Sequence, residues 1–147
     1  ITPHGRRMAA LPLAPRLSHM LLVAAARGLS VLGTRLAVLL EERDVLRGTG
    51  GPPPPDVQLR LDVLRRGNAL LPPGVTVDRD ALRRVRTQAD ELRSRLRMID
   101  RTMDAPGARP PAPLGGAADA HAVATDDGEA GTLLALAFPD RVARRRP

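Results

Sequence analysis

Between Leu82 and Met103 the apolar residues Leu82, Val85, Ala89, Leu92, Leu96, Ile99 and Met103 follow one another at intervals of 3, 4, 3, 4, 3 and 4. That spacing averages 3.5 residues. It is the seam of a long helix that packs along its whole length against other helices, as in bundles and coiled coils. Asp78 stands where an N-cap belongs, so the pattern predicts a helix from Asp78 to about Met103. Beside the seam runs a second stripe, Arg79, Arg83, Arg86, Arg93, Arg97 and Arg101, interrupted only by Asp90. At ~100° per residue these positions fall within about 80° of one another on the helical wheel. Two readings stay open. The stripe is a solvated face, with Asp80–Arg84 and Glu91–Arg95 as ordinary i, i+4 pairs, or it faces phosphate.

The remaining pattern is also helical, and the predicted fold class is all-α, a bundle of about five to six helices. Thr2-Pro3 reads as a helix start, a hydroxyl N-cap followed by a proline whose missing N–H costs nothing there. This short helix turns Met8 and Leu11 inward and stops at Pro12. Pro15 opens a second helix with Leu17, Met20, Leu21 and Ala24 on one buried face, closed by Gly28. Ser30 is expected to cap a third helix whose Leu32, Leu36, Leu39 and Leu40 face the core. The stretch "RGTGGPPPP", 47 to 55, reads as an exposed loop stiffened by polyproline. Asp56 then caps a fourth helix with Val57, Leu61 and Leu64 as its stripe and Gly67 as its stop, and "LPPG" at 71–74 marks another turn. Residues 104–128, mostly Ala, Pro and Gly, bury too little apolar surface to offset their ordering entropy and read as a disordered linker. A last short helix is expected in "EAGTLLALAF", and no strand is predicted.

Composition excludes several chemistries. All 23 basic residues are arginine. Without lysine the stretch can hold neither a P-loop nor a Schiff-base site. Cysteine is absent too, which removes disulfides, thiol catalysis and thiolate metal ligands, and leaves a cytoplasmic setting as the default. His4, His19 and His121 are far apart, none at the i, i+4 spacing of a zinc helix, so no metal site is expected. Ser18, Ser30 and Ser94 have no nucleophile-elbow context. The adjacent acids Glu41-Glu42 and Asp126-Asp127 do not share a helix face, so they do not form an acid/base pair. No catalytic residue and no cofactor is therefore assigned to this stretch. A net charge of +7 favours a polyanionic partner, although an all-arginine, Ala- and Pro-rich composition also fits a GC-rich coding bias. With Phe138 as the single aromatic, base stacking is unavailable, and any nucleic-acid contact falls on phosphate. No apolar run reaches the ~20 residues that span a bilayer, so no membrane partner is expected.

Three stretches carry a resemblance. The opening "ITPHGRRMAALPLAPRLSHMLL" resembles the T-P-x-G-R-x-M-A-x-x-P-L-x-P-R-L-x-x-M-L signature of DEAH-box ATP-dependent helicases. The matching residues are Thr2, Pro3, Gly5, Arg6, Met8, Ala9, Pro12, Leu13, Pro15, Arg16, Leu17, Met20 and Leu21. "LAVLLEERDVLRG" at 36–48 and "DVQLRLDVLRRG" at 56–67 are similar to helices of the bacterial HrpB branch of that family. The closing "LLALAFPDRVARRR" resembles the branch's L-L-A-L-A-Y-P-D-R-I-A-x-R-R junction, with Phe138 where Tyr is usual and Val142 where Ile is usual. The resemblance omits 49–55 and 104–128.

It implies the end of a winged-helix domain over 1–12 and a helicase-associated, ratchet-like bundle over 13–103. The 104–128 linker follows, then a last helix and the junction to an OB-like domain over 129–147. By this resemblance both ends are joins within a longer helicase, whose RecA-like domains would bind ATP and Mg²⁺ and hydrolyse the nucleotide. The bundle would close over single-stranded nucleic acid, with RNA the expected strand, and the Arg79–Arg101 stripe is the candidate contact by helical spacing alone. Two rival readings remain: a basic docking bundle for an acidic protein partner, and a stand-alone regulatory fragment that binds nucleic acid without a motor.

Overall fold

A computed structural model describes residues 1–67, 71–103 and 126–141, the first two of the last segment by backbone only. Thr2 caps α1 (Pro3–Ala9), its hydroxyl accepting the Gly5 N–H at 3.0 Å, and Pro3 occupies the first turn. Leu11 beyond it is buried. Helix α2 (Pro15–Ala26) again starts on proline and buries Leu17, Met20, Leu21 and Ala24. It ends in a Schellman turn: Leu29 N–H donates to the Ala24 carbonyl at 2.8 Å and Gly28 N–H to Ala25 at 3.0 Å, with Gly28 at φ +77°. That turn moves the next helix start back by one residue. Leu29 already accepts the Gly33 N–H, so it sits in the N-cap place, and Ser30 is the first residue of α3 (Ser30–Glu41) rather than its cap.

Helix α3 is the centre of the molecule, packing against α2, α4, α5 and α6. Its buried residues therefore run round it, Leu32, Gly33, Thr34, Leu36, Ala37 and Val38, instead of keeping to a stripe. The enclosure ends at the last turn, where Leu40, expected inside, is exposed. Among the described residues the two fully buried hydroxyls are both satisfied: Thr34 donates to the Ser30 carbonyl at 2.9 Å and Ser18 to Leu13 at 3.3 Å.

The expected absence of strands is corrected by a two-stranded antiparallel ribbon, β1 (Leu46–Gly48) against β2 (Val75–Val77), with Leu46 opposite Val77. The polyproline loop between them is stapled. Arg60 of α4 (Val57–Arg66) donates through Nε to Asp44 Oδ1 at 2.9 Å and through Nη1 to the carbonyls of Pro54 at 2.6 Å and Asp56 at 2.8 Å. Asp56 caps α4 through the Gln58 N–H, and Gly67 ends it at φ +76°.

Helix α5 (Arg79–Met103) forms as its pattern requires, with Leu82, Val85, Ala89, Leu92, Leu96 and Ile99 buried. Asp78 caps it, accepting the N–H groups of Ala81 at 3.0 Å and Asp80 at 3.1 Å. The same carboxylate accepts Arg47 Nε at 2.9 Å, so it also ties the helix to the ribbon. These bonds, the Ala81 N–H first and Arg47 next, hold its carboxyl down at about 2. Helix α6 (Asp126–Ala137) takes in the last three residues, 126–128, of the expected linker; residues 104–125 lie outside the described residues. Ala130, Leu133 and Ala137 pack it onto α2 and α3, and the turn Pro139–Arg141 follows. Among the described residues no helix is long and apolar enough to cross a membrane.

Two predictions follow from this packing. A Cβ on Gly33 would stand 2.7 Å from Ala24 Cβ, which cannot swing away, so Gly33→Ala forces α2 and α3 apart. Overpacking of this kind costs about 1–3 kcal/mol, more than the ~1 kcal/mol of helix propensity it gains, and urea unfolding should show a net loss. Asp78 has a depressed folded-state pKa, so its contribution is present above the ordinary carboxylate pKa and is lost as pH falls toward 2. The stability gap between wild type and Asp78→Ala should therefore be constant above about pH 5 and narrow between about pH 4 and pH 2 in urea titrations.

Candidate nucleic-acid interface

The arginine stripe lies on one flank of the α5 seam, and its members meet different surroundings. Arg79 and Arg101 are exposed at the two ends of the helix, with no hydrogen-bond or ion-pair partner among the described residues. Arg83 is exposed and paired with Asp80, one residue away from the Asp80–Arg84 pairing expected; the i, i+3 partner is the one the side chains reach here. Arg86 turns inward. Its Nη2 donates to the Leu64 carbonyl at 2.9 Å and to Val63 at 3.4 Å, and its Nε donates to Leu64 at 3.2 Å. It thus supplies the donor that the Leu64 carbonyl lacks at the end of α4, and a second, longer one to Val63, whose carbonyl already accepts the Gly67 N–H at 2.8 Å. Arg97 is exposed and donates to the Ser94 hydroxyl at 3.0 Å. Arg93 is half-buried and has no partner among the described residues.

Arg93 and Arg97 open onto a cleft of about 340 Å³ between α5, the end of α2 and the start of α3, with Ala25 and Leu96 as apolar lining and Ser30 at its edge. Asp100 also lines it, but its carboxylate is engaged by Arg7 from α1. A neighbouring cleft of about 130 Å³ is lined by Arg35, Leu32, Leu61 and Arg65, and the two share the exposed side chain of Val31. Arg35, like Arg93, is half-buried without a partner among the described residues, whereas Arg65 is paired with Asp62.

Spacing on α5 could not reveal Arg35 or Arg65, which sit on other helices. The signal that could have found Arg35 is its place as a lone charge within the apolar run of α3.

The other flank of α5 has the opposite character. Glu91 joins Glu41 and Glu42 at a groove of about 490 Å³ over Leu13, Val38 and Leu92, with Arg95 the one basic residue lining it. Glu42 accepts Gln88 Nε2 at 2.9 Å and Glu41 accepts the Ala14 N–H at 3.3 Å. A polyanion is repelled from this side.

His4 and His19, distant in sequence, come together across α1 and α2, with Nε2 and Nδ1 2.9 Å apart. Burial, then the neighbouring His19 and Arg7, hold the His4 imidazole below its ordinary pKa. Among the described residues no three metal-ligating side chains gather. His121 lies outside the described residues.

No family model matches the chain, and neither a curated protein nor a solved structure does.

The bonding of Arg86 separates it from the rest of the stripe in a testable way. Arg86→Met leaves the Leu64 carbonyl without its donor, while Val63 keeps the Gly67 N–H, and the unfolding free energy from urea titration should fall by about 1 kcal/mol. The exposed Arg101→Gln should change stability by less than about 0.5 kcal/mol.

Proposed function

We propose that this chain is the non-catalytic helical module of a DEAH-box ATP-dependent RNA helicase of the HrpB branch, and that it holds single-stranded nucleic acid by its phosphates. The observation that carries the binding half is the α5 flank with the two clefts beside it. Arg35 and Arg93 are desolvated in part, yet hydrogen-bond to nothing among the described residues. Guanidinium forks suit phosphate oxygens. The single aromatic, Phe138, is half-buried with the Arg16 guanidinium 5.3 Å from its ring, so stacking on bases does not compete with backbone contact.

The helicase half rests on the residue resemblance, and the packing supports reading its motifs as one unit. Arg16 belongs to the opening signature and Phe138 to the closing one, and the two meet. Thr2, Pro3 and Pro15 start helices, while Leu17, Met20 and Leu21 are core. In this reading ATP and Mg²⁺ belong to RecA-like domains outside this stretch, which has no lysine for a P-loop, and the setting is cytoplasmic.

The coding sequence upstream of Ile1 tests the family half. A G-x-x-x-x-G-K-[ST] followed by D-E-x-H should be found there, and their absence overturns it. For the binding half, the 147-residue chain should bind oligouridylate and oligodeoxythymidylate without strong base preference. Its log affinity should fall with log salt by about 0.7 for each phosphate neutralised. Affinity independent of salt overturns phosphate contact.

A further inference from the structure

The stripe on α5 suggests a strand lying along that helix, but the placement of the free charges does not. Arg86 has its guanidinium engaged by the carbonyls at the end of α4, and Arg83 is paired with Asp80. What remains in the middle of α5 is Arg93 with Arg97. Their natural continuation is sideways, over Val31 to Arg35 on α3.

We propose, on the basis of the nucleic-acid reading above, that the bound strand crosses α5 at the start of α3. One phosphate sits in the cleft of Arg93 and Arg97, and the next sits at Arg35, with Val31 between them against the sugar. A concave site lets each arginine approach a phosphate from a partly dry wall, where the attraction is less screened than on an open helix face. The Ser30 hydroxyl, which has no partner among the described residues, faces the first cleft as an additional donor. The exposed row ends, Arg79 and Arg101, then contribute only general attraction.

Charge-matched double variants test this. Arg35→Gln with Arg93→Gln and Arg79→Gln with Arg101→Gln each remove two positive charges. Fluorescence anisotropy with labelled oligouridylate should show roughly tenfold or greater weakening for the cleft pair, and a salt slope lower by about 1.4. The row-end pair should weaken binding by no more than about twofold, the scale of screened long-range charge.

Ser30→Asp serves as a second variant that does not threaten the fold, because a carboxylate in the first turn of a helix is favourable. It should preserve or raise the melting temperature while weakening RNA binding as the cleft pair does. Equal effects from the two double variants, or a larger effect from the row ends, would overturn the crossing path and leave RNA binding by the module standing. Undetectable RNA binding by the wild-type chain would overturn both. Tighter binding of an oligoglutamate peptide than of oligouridylate, lost in Ser30→Asp, would overturn the phosphate assignment in favour of an acidic protein partner.

Discussion

The close approach of α2 and α3 at Gly33 is the contact on which the rest of the bundle depends. The missing side chain lets α3 lie against Ala24 and Leu21, and the Schellman turn at Gly28 joins the two helices through three residues, Arg27, Gly28 and Leu29. Held there, α3 becomes the post that α4, α5 and α6 pack around. Small residues at this seam concentrate burial where the helices meet, and the larger Met20, Leu21, Leu36, Leu96 and Leu133 fill the space around it. The clefts at the start of α3 are a consequence. A helix start pressed under the end of α2 leaves a corner that α5 borders with arginine.

The arginines of this chain do different work despite identical charge. Arg60 and Arg86 are structural donors, answering backbone carbonyls of the polyproline loop and of α4. Arg7 and Arg47 tie α1 and the ribbon to the ends of α5. Arg35 and Arg93 answer to nothing described. Net charge alone therefore overstates what is available to a polyanion. The acidic groove on the opposite flank shows that the basic character is directional. A solvated face, the bland alternative for the α5 stripe, describes Arg79, Arg83 and Arg101 well and Arg93 poorly.

Much of the fold was legible because its signals are local. The seam of α5, the caps Thr2, Asp56 and Asp78, and the stops at Gly28 and Gly67 each need only a few neighbouring residues to act. The ribbon was not legible. Strands of three residues give no usable alternation, although the β-branched run Val75-Thr76-Val77 was a hint. Ser30 lost its capping role to a turn whose geometry depends on the helix before it, and Leu40 was misplaced because a central helix has no single buried stripe. The candidate site was legible by half. Periodicity located the stripe, but which arginines are free depends on a tertiary neighbour at Leu64 for Arg86 and on Asp80 taking Arg83 rather than Arg84. The His4–His19 contact is equally a product of tertiary packing.

The central claim is that nucleic-acid phosphate meets this module where α3 begins beneath α5. Amide chemical-shift mapping on the isotope-labelled chain, titrated with oligouridylate, tests it most directly, and at 15.7 kDa the chain is well suited to it. The largest shifts should fall at Ser30, Val31, Arg35, Arg93 and Arg97, with the groove of Glu41, Glu42 and Glu91 silent. Shifts centred on that acidic groove, or none at saturating RNA, would contradict it.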